Sequence, residues 1–177
     1  MNTVDFIWNG QTLHLLLNGA ALFDIFDRYG SDAEILELIA GSGRKDLEAT
    51  CWILAKLAEQ GELARRYLGY DREKPPQAGR LMALMAPMEI PRARLAITQT
   101  VRQGFGMRHG EAEEYTDLGL QELQKKNGIE TDRVQYFQTV TQFLRLPPRA
   151  VLILTPGETA DLVNLEIKRR GLKRKED

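Results

Sequence analysis

The strongest constraint on the fold is a long stretch of helical periodicity between Arg44 and Tyr67. Apolar residues recur there at steps of three and four, and further apolar side chains widen the stripe. The stripe consists of Leu47, Cys51, Leu54 and Ala58, widened by Trp52, Ile53 and Leu57. This pattern predicts a central helix that is buried on more than one side. Gly61 predicts a bend before Leu63, because glycine weakens a helix by roughly 1 kcal/mol relative to alanine.

A β-hairpin is predicted near the N-terminus. Two β-rich runs, Val4–Trp8 and Gln11–Leu16, flank the dipeptide Asn9-Gly10. Asn-Gly between such runs is the strongest local signal for a two-residue hairpin turn, because both residues tolerate positive φ.

The remaining elements are predicted to be helices bounded by capping and breaking residues. One helix follows Asn18-Gly19 and ends at Gly30, and Ser31 and Glu34 form a capping box that begins the next. Thr155-Pro156-Gly157-Glu158 combines a capping box with proline at the first helical position. Further helices are predicted to begin at Pro91, to lie around Leu118–Leu123 and to span Asp132–Leu146. The fold class is therefore mostly α, a multi-helix bundle with an N-terminal β-hairpin.

The paired prolines Pro75-Pro76 predict a boundary between two domains. They cannot extend a helix, and no apolar period crosses them. We expect a hairpin-plus-helix domain over residues 1–70, a linker over 71–80, and a helical domain with a basic tail over 81–177.

The composition favours a globular chain in a reducing compartment. Of the 177 residues, 43% are hydrophobic and 28% are charged. A single cysteine cannot form an internal disulfide, and no charged-then-apolar leader is evident, so we expect a cytoplasmic protein. No apolar run approaches the roughly 20 residues that a membrane span needs, so no membrane role is expected.

No group of residues predicts catalysis, a metal site or a cofactor. His14 and His109 lack partners at metal-ligand spacing, and His14 is expected on the outer face of the hairpin. Cys51 lies in the apolar stripe, where a buried, unreactive thiol is usual. The glycine-containing segments Gly41–Lys45 and Gly104–Gly106 lack the spacing of a phosphate-binding loop. The expectation is a protein that holds another macromolecule and is not an enzyme.

The C-terminal residues are rich in cations. The basic side chains are Lys168, Arg169, Arg170, Lys173, Arg174 and Lys175. They are interpreted as a solvated helix end that complements the helix dipole. The alternative is a small helical DNA-binding phage protein, a regulator or packaging component, in which these residues contact phosphates and the helices over Asp132–Leu146 and Pro156–Arg170 form a helix-turn-helix.

Two segments resemble the phage tail assembly chaperones of prophages in Gram-positive bacteria. The first is Leu47–Gly61, LEATCWILAKLAEQG, which follows a hairpin and an acidic helix. The second combines Phe143–Pro148, FLRLPP, with Leu154–Glu158, LTPGE. The resemblance covers about the first seventy and the last forty residues, and it does not extend to the middle of the chain.

The resemblance implies a protein of the host bacterial cytoplasm that coats the tail tape-measure protein, recruits tail-tube subunits and is absent from the finished virion. Coating a filament would suit a homo-oligomer. Some family members also have a frameshifted longer form, for which Lys125-Lys126 could be encoded by a slippery run. Exposed apolar side chains would contact the partner. The candidates are Trp8, Phe23, Trp52, Met82, Met85 and Met88.

Overall fold

A computed structural model of the chain describes residues 3–30, 34–106 and 141–170. It is mostly helical with an N-terminal two-stranded antiparallel hairpin, which confirms the predicted fold class. The elements are β1 (Val4–Trp8), β2 (Gln11–Leu15), α1 (Gly19–Tyr29), α2 (Ile35–Leu38), α3 (Arg44–Tyr67), α4 (Ala78–Leu84), a 3-10 turn (Pro87–Glu89), α5 (Ile90–Phe105), α6 (Pro148–Ile153) and α7 (Pro156–Arg169). The chain forms two compact units, Met1–Gly104 and Phe105–Asp177.

The predicted hairpin is confirmed, with its turn at Asn9 and Gly10. These two residues have φ of 50° and 75°, the left-handed conformation that a tight hairpin turn needs. The strands are antiparallel, with Phe6 opposite Leu13 and Asp5 opposite His14. Alternate side chains are buried, among them Trp8, and the others face outward. One face of the hairpin therefore belongs to the core of the first unit.

Helix α3 is the central helix of the first unit, as predicted, and it packs against β2, α1, α2 and α4. It continues through Gly61 to Tyr67. A Cβ at Gly61 would lie 1.7 Å from the backbone oxygen of His14, and the N–H of Leu16 donates to the oxygen of Leu57 at 3.1 Å. Glycine is therefore required because the strand and the helix touch through their backbones.

The side chain of Asn18 joins the hairpin to the helices. Its Oδ1 accepts from the N–H of Ala21 at 2.9 Å, which caps α1, and its Nδ2 donates to Gln60 on α3 at 3.1 Å. Asn18 is buried, and both of these polar atoms are satisfied. The start of α1 is thereby fixed against α3.

The segment predicted as an interdomain linker is attached to the first unit. The N–H of Glu73 donates to Glu62 at 2.7 Å, Arg66 donates to the oxygen of Glu73 at 2.7 Å, and Pro76 is buried. Helix α4 then packs on α3. The two compact units divide after Gly104 and not at residues 71–80, because the prolines end a helix without ending the packing.

The second unit contains the predicted capping box of α7. Thr155 accepts from the N–H of Glu158 at 3.2 Å, and Glu158 accepts from the N–H of Thr155 at 3.0 Å, which confirms the predicted helix start. A Cβ at Gly157 would lie 2.3 Å from the oxygen of Gly106. The helix predicted around Leu118–Leu123, most of the helix predicted over Asp132–Leu146, and the capping residue Ser31 lie outside the described residues.

Candidate functional site

The most exposed methionine in the described chain lies in the segment that runs from α4 into α5, and this segment carries several other accessible apolar side chains. Met88 has 79% of its surface exposed, and Leu84 and Leu95 have 59% each. Met82 and Met85 on the same segment are half-buried. We call these five residues the methionine surface. Large apolar side chains that remain this accessible in one short segment are typical of an interaction site.

The helical spacing explains why this surface faces outward. Leu81 is the buried residue of α4, so the rest of that short helix is partly or fully accessible. Helix α5 is buried along Ala93, Ala96, Ile97, Thr100, Val101 and Gly104. Leu95 lies two residues from both Ala93 and Ile97, on the opposite side of the helix, and Met88 lies in the 3-10 turn that precedes α5.

Polar contacts hold the methionine surface on rigid elements. Arg94, next to Leu95, donates to the backbone oxygen of Gly41 at 2.6 Å and approaches the hydroxyl of Thr50 at 3.4 Å. The N–H of Ala86 donates to Glu89 at 2.8 Å across the 3-10 turn. The first contact fixes α5 relative to the start of α3, and the second fixes the turn that carries Met88. The backbone of this segment is therefore anchored at two points.

The six residues predicted to contact a partner fall into two groups. Trp8 and Phe23 are only 3% and 4% exposed, because alternation along β1 and the inner face of α1 place them in the core. They cannot reach a partner in this fold. Trp52, Met82 and Met85 are half-buried, and Met88 is exposed. Leu84 and Leu95, which are not among the predicted residues, are exposed as well, and the position of Leu95 outside the buried stripe of α5 is visible in the sequence.

His14 lies on the outward face of the hairpin, as predicted, in a network of charged groups. Its Nδ1 is 2.7 Å from a carboxylate oxygen of Asp5, and its Nε2 contacts the guanidinium of Arg65. Both ring nitrogens of His14 are therefore engaged within the fold. Arg65 also stacks over the ring of Tyr70 at 5.1 Å and lies 3.8 Å from Glu62.

A small depression beside His14 has little room for a ligand. Its wall includes Gln11, His14, Glu62, Glu73 and Pro75. The depression has room for about one water molecule. The network therefore connects the hairpin with α3 and with the segment that follows α3.

Cys51 is completely buried on α3. Burial raises the pKa of the Cys51 thiol above its ordinary value, because the thiolate would lose its hydration. A thiol in this environment stays protonated and inaccessible, which agrees with the predicted structural role.

Trp52 is held at the surface by aromatic and cationic neighbours. The guanidinium of Arg28 lies 4.8 Å from the centre of the indole ring, and Tyr29 meets that ring edge-on at 5.6 Å. Lys56, one turn further along α3, forms ion pairs with Asp24 at 3.2 Å and Glu59 at 3.0 Å. Burial, partly opposed by Arg28, raises the pKa of Tyr29. The indole is thus fixed in orientation while one part of it stays accessible.

The basic end of the chain is partly neutralised within its own helix. Lys168, Arg169 and Arg170 are exposed, and Lys173, Arg174 and Lys175 lie outside the described residues. Glu166 pairs with Arg169 at 2.7 Å and with Arg170 at 2.6 Å. Their hydrogen bonds lower the pKa of Glu166 to about 2.

The arrangement of the C-terminal helices bears on the DNA-binding alternative. Arg170 also donates to the backbone oxygen of Phe143 at 2.8 Å, so its guanidinium is engaged within the chain. Helix α6 lies between residues 141–144 and α7. A helix-turn-helix would need a short turn between residues 141–144 and α7, where this chain has α6.

Over the described ranges, no three histidine, cysteine or acidic side chains converge as metal ligands would. None of the helices within these ranges is both long and apolar enough to cross a membrane. Comparison of the chain with protein-family models, with characterised proteins and with solved structures found no match.

Proposed function

We propose that this chain is a non-enzymatic binding protein whose methionine surface holds the apolar stripe of a helical partner protein. The main observation that supports this proposal is that Met88 is exposed and that Leu84 and Leu95, on either side of it in the sequence, are exposed as well. An amphipathic helix binds such a surface by laying its apolar face on it. Methionine suits this task because its flexible thioether adapts to partners of varied sequence.

The size of the surface supports binding of useful strength. Fully burying a leucine or methionine side chain is worth about 1.5–3 kcal/mol. Because Leu84, Met88 and Leu95 are 59%, 79% and 59% exposed, burying what remains of them would contribute about 3–6 kcal/mol before ordering costs. A partner with a repeated apolar stripe could bind several copies of the chain side by side, each contributing a contact of this kind.

The resemblance of Leu47–Gly61 and Leu154–Glu158 to tail assembly chaperones suggests the partner. We propose that it is the tail tape-measure protein, a long helical chain that would aggregate through its apolar stripe unless covered, and that tail-tube subunits are brought to this complex. The host bacterial cytoplasm is the proposed location.

An affinity pull-down after prophage induction tests this function. The tagged chain is recovered from nuclease-treated lysate beside the Met88→Glu and Leu95→Glu variants, which place a charge in the methionine surface. Ile7→Glu serves as the matched control, because Ile7 is 61% exposed on the outer face of the hairpin.

Mass spectrometry should identify a very long helical tail protein with the unaltered chain and with Ile7→Glu, and at least tenfold less of it with the other two variants. Equal recovery with all four proteins would remove the methionine surface from the account. Recovery of DNA in a salt-sensitive manner from untreated lysate, without tail proteins, would support the DNA-binding alternative.

A further inference from the structure

Helix α3 exposes a second pattern on the side that faces away from the core. Trp52, Lys56, Glu59 and Leu63 follow one another at steps of four, three and four, and all are at least partly accessible. The side chains of Lys56 and Glu59 are 28% and 46% exposed, and Leu63 is 48% exposed. We call these four residues the α3 ridge. Steps of four and three are the spacing of the contact positions in a coiled coil.

The α3 ridge is complementary to itself when the helix direction is reversed. If a second copy of α3 is placed alongside in the opposite direction, with both helices centred between Leu57 and Ala58, Trp52 of one copy lies beside Leu63 of the other. Lys56 of one copy then lies beside Glu59 of the other. In an antiparallel helix pair, residues at the two contact positions share a level in this way. The interface would therefore contain two Trp52–Leu63 pairs and two Lys56–Glu59 pairs, related by the two-fold axis. A two-fold interface requires this property of a surface.

We propose that the α3 ridge binds the same ridge of a second copy of this chain in antiparallel orientation. The indole of Trp52, already held by Arg28 and Tyr29, packs against Leu63 of the other copy. Lys56, which pairs with Glu59 of its own chain at 3.0 Å, also faces Glu59 of the other copy. The two central charged levels fix the register, since any shift along the helix would separate opposite charges or oppose like ones.

The contact is small, so the dimer is weak and reversible. Trp52 to Leu63 spans three helical turns, about 17 Å at 1.5 Å per residue. An interface of this length falls at the low end of the size range of specific interfaces. Because the central ion pairs are partly solvated, added salt should weaken the dimer. Self-association rests on the α3 ridge alone, so its failure would leave the proposed function of the methionine surface standing.

Sedimentation of the full chain between about 1 and 300 µM tests this proposal. The unaltered chain should pass from monomer to dimer over this range. Lys56→Glu opposes carboxylates at both central levels, and Glu59→Lys opposes ammonium groups there, so each variant alone should dimerise at least tenfold more weakly. An equimolar mixture of the two variants should form a heterodimer, because one chain then carries two carboxylates where the other carries two ammonium groups.

Controls separate association from folding. Lys56 also pairs with Asp24 in its own chain, so circular dichroism and thermal unfolding must show that each variant is folded. If Lys56→Glu fails to fold, Leu63→Arg replaces it and should also dissociate the dimer. Ile7→Arg, on the hairpin, should dimerise as the unaltered chain does. A monomer throughout the concentration range, unaltered dimerisation of Glu59→Lys, or no heterodimer in the mixture of two folded variants would overturn the proposal.

Discussion

Replacing Gly61 by alanine tests whether helix propensity, which favours alanine, or the close approach of β2, which excludes it, decides the stability of the fold. By helix propensity alone, alanine would stabilise α3 by about 1 kcal/mol. In the folded chain, however, the new Cβ would lie 1.7 Å from the backbone oxygen of His14. An ordinary contact begins at 3.4 Å, so the strand and the helix would have to separate by about 1.7 Å, the difference between these two distances.

This separation has a calculable cost. It would break the 3.1 Å hydrogen bond from Leu16 to the oxygen of Leu57, which is worth about 1 kcal/mol. Overpacking and loosened contacts around Leu15 would add about 1–3 kcal/mol. After subtracting about 1 kcal/mol gained in helix propensity, Gly61→Ala should lower the free energy of unfolding by about 1–3 kcal/mol.

Urea unfolding followed by circular dichroism measures this difference. Gly79→Ala is the matched control, because Gly79 lies in α4 with nothing within 4 Å of an added Cβ. That substitution should leave stability unchanged or raise it by up to about 1 kcal/mol. If Gly61→Ala were as stable as Gly79→Ala, the backbone contact between β2 and α3 would be refuted.

Three further results are expected. Trp8→Ala should lower the free energy of unfolding by about 3–5 kcal/mol because Trp8 is in the core, whereas Met88→Ala should change it by no more than about 0.5 kcal/mol, as measured by urea unfolding; similar losses at both sites would contradict their burial. Asn18→Ala should cost about 1–2 kcal/mol through loss of the α1 cap and its bond to α3, measured in the same way. Glu166 should stay ionised in an NMR pH titration until the pH nears 2, and a midpoint near 4.5 would contradict the arginine contacts. Because the folded pKa lies below the unfolded value of 4.5, the pairing of Glu166 stabilises the fold above pH 4.5, and this stabilisation is lost as the pH falls through about 2.

Local signals in the sequence were sufficient for several elements. Asn9-Gly10 predicted the hairpin because positive φ is a property of the residues themselves. The capping box at Thr155 likewise acts within four residues of its own helix. The apolar stripe of α3 predicted a central helix because burial imposes its period on the sequence.

Features that depend on distant contacts could not be predicted in the same way. Gly61 suggested a bend, since nothing in the sequence shows that His14 approaches it. Pro75-Pro76 suggested a boundary, since the bonds that attach Glu73 to Glu62 and Arg66 form only after folding. Which apolar side chains remain accessible to a partner likewise depends on how distant elements pack, which buries Trp8 and Phe23 and leaves Met88 exposed.

Coexpression with the tape-measure protein tests the central claim most directly. The soluble fraction of that protein is measured with the unaltered chain, with a variant carrying both Met88→Glu and Leu95→Glu, and with Ile7→Glu, all confirmed as folded. The unaltered chain and Ile7→Glu should keep the tape-measure protein soluble, and the double variant should let it aggregate. A double variant that protects the tape-measure protein as well as the unaltered chain does would contradict the claim that the methionine surface holds the partner.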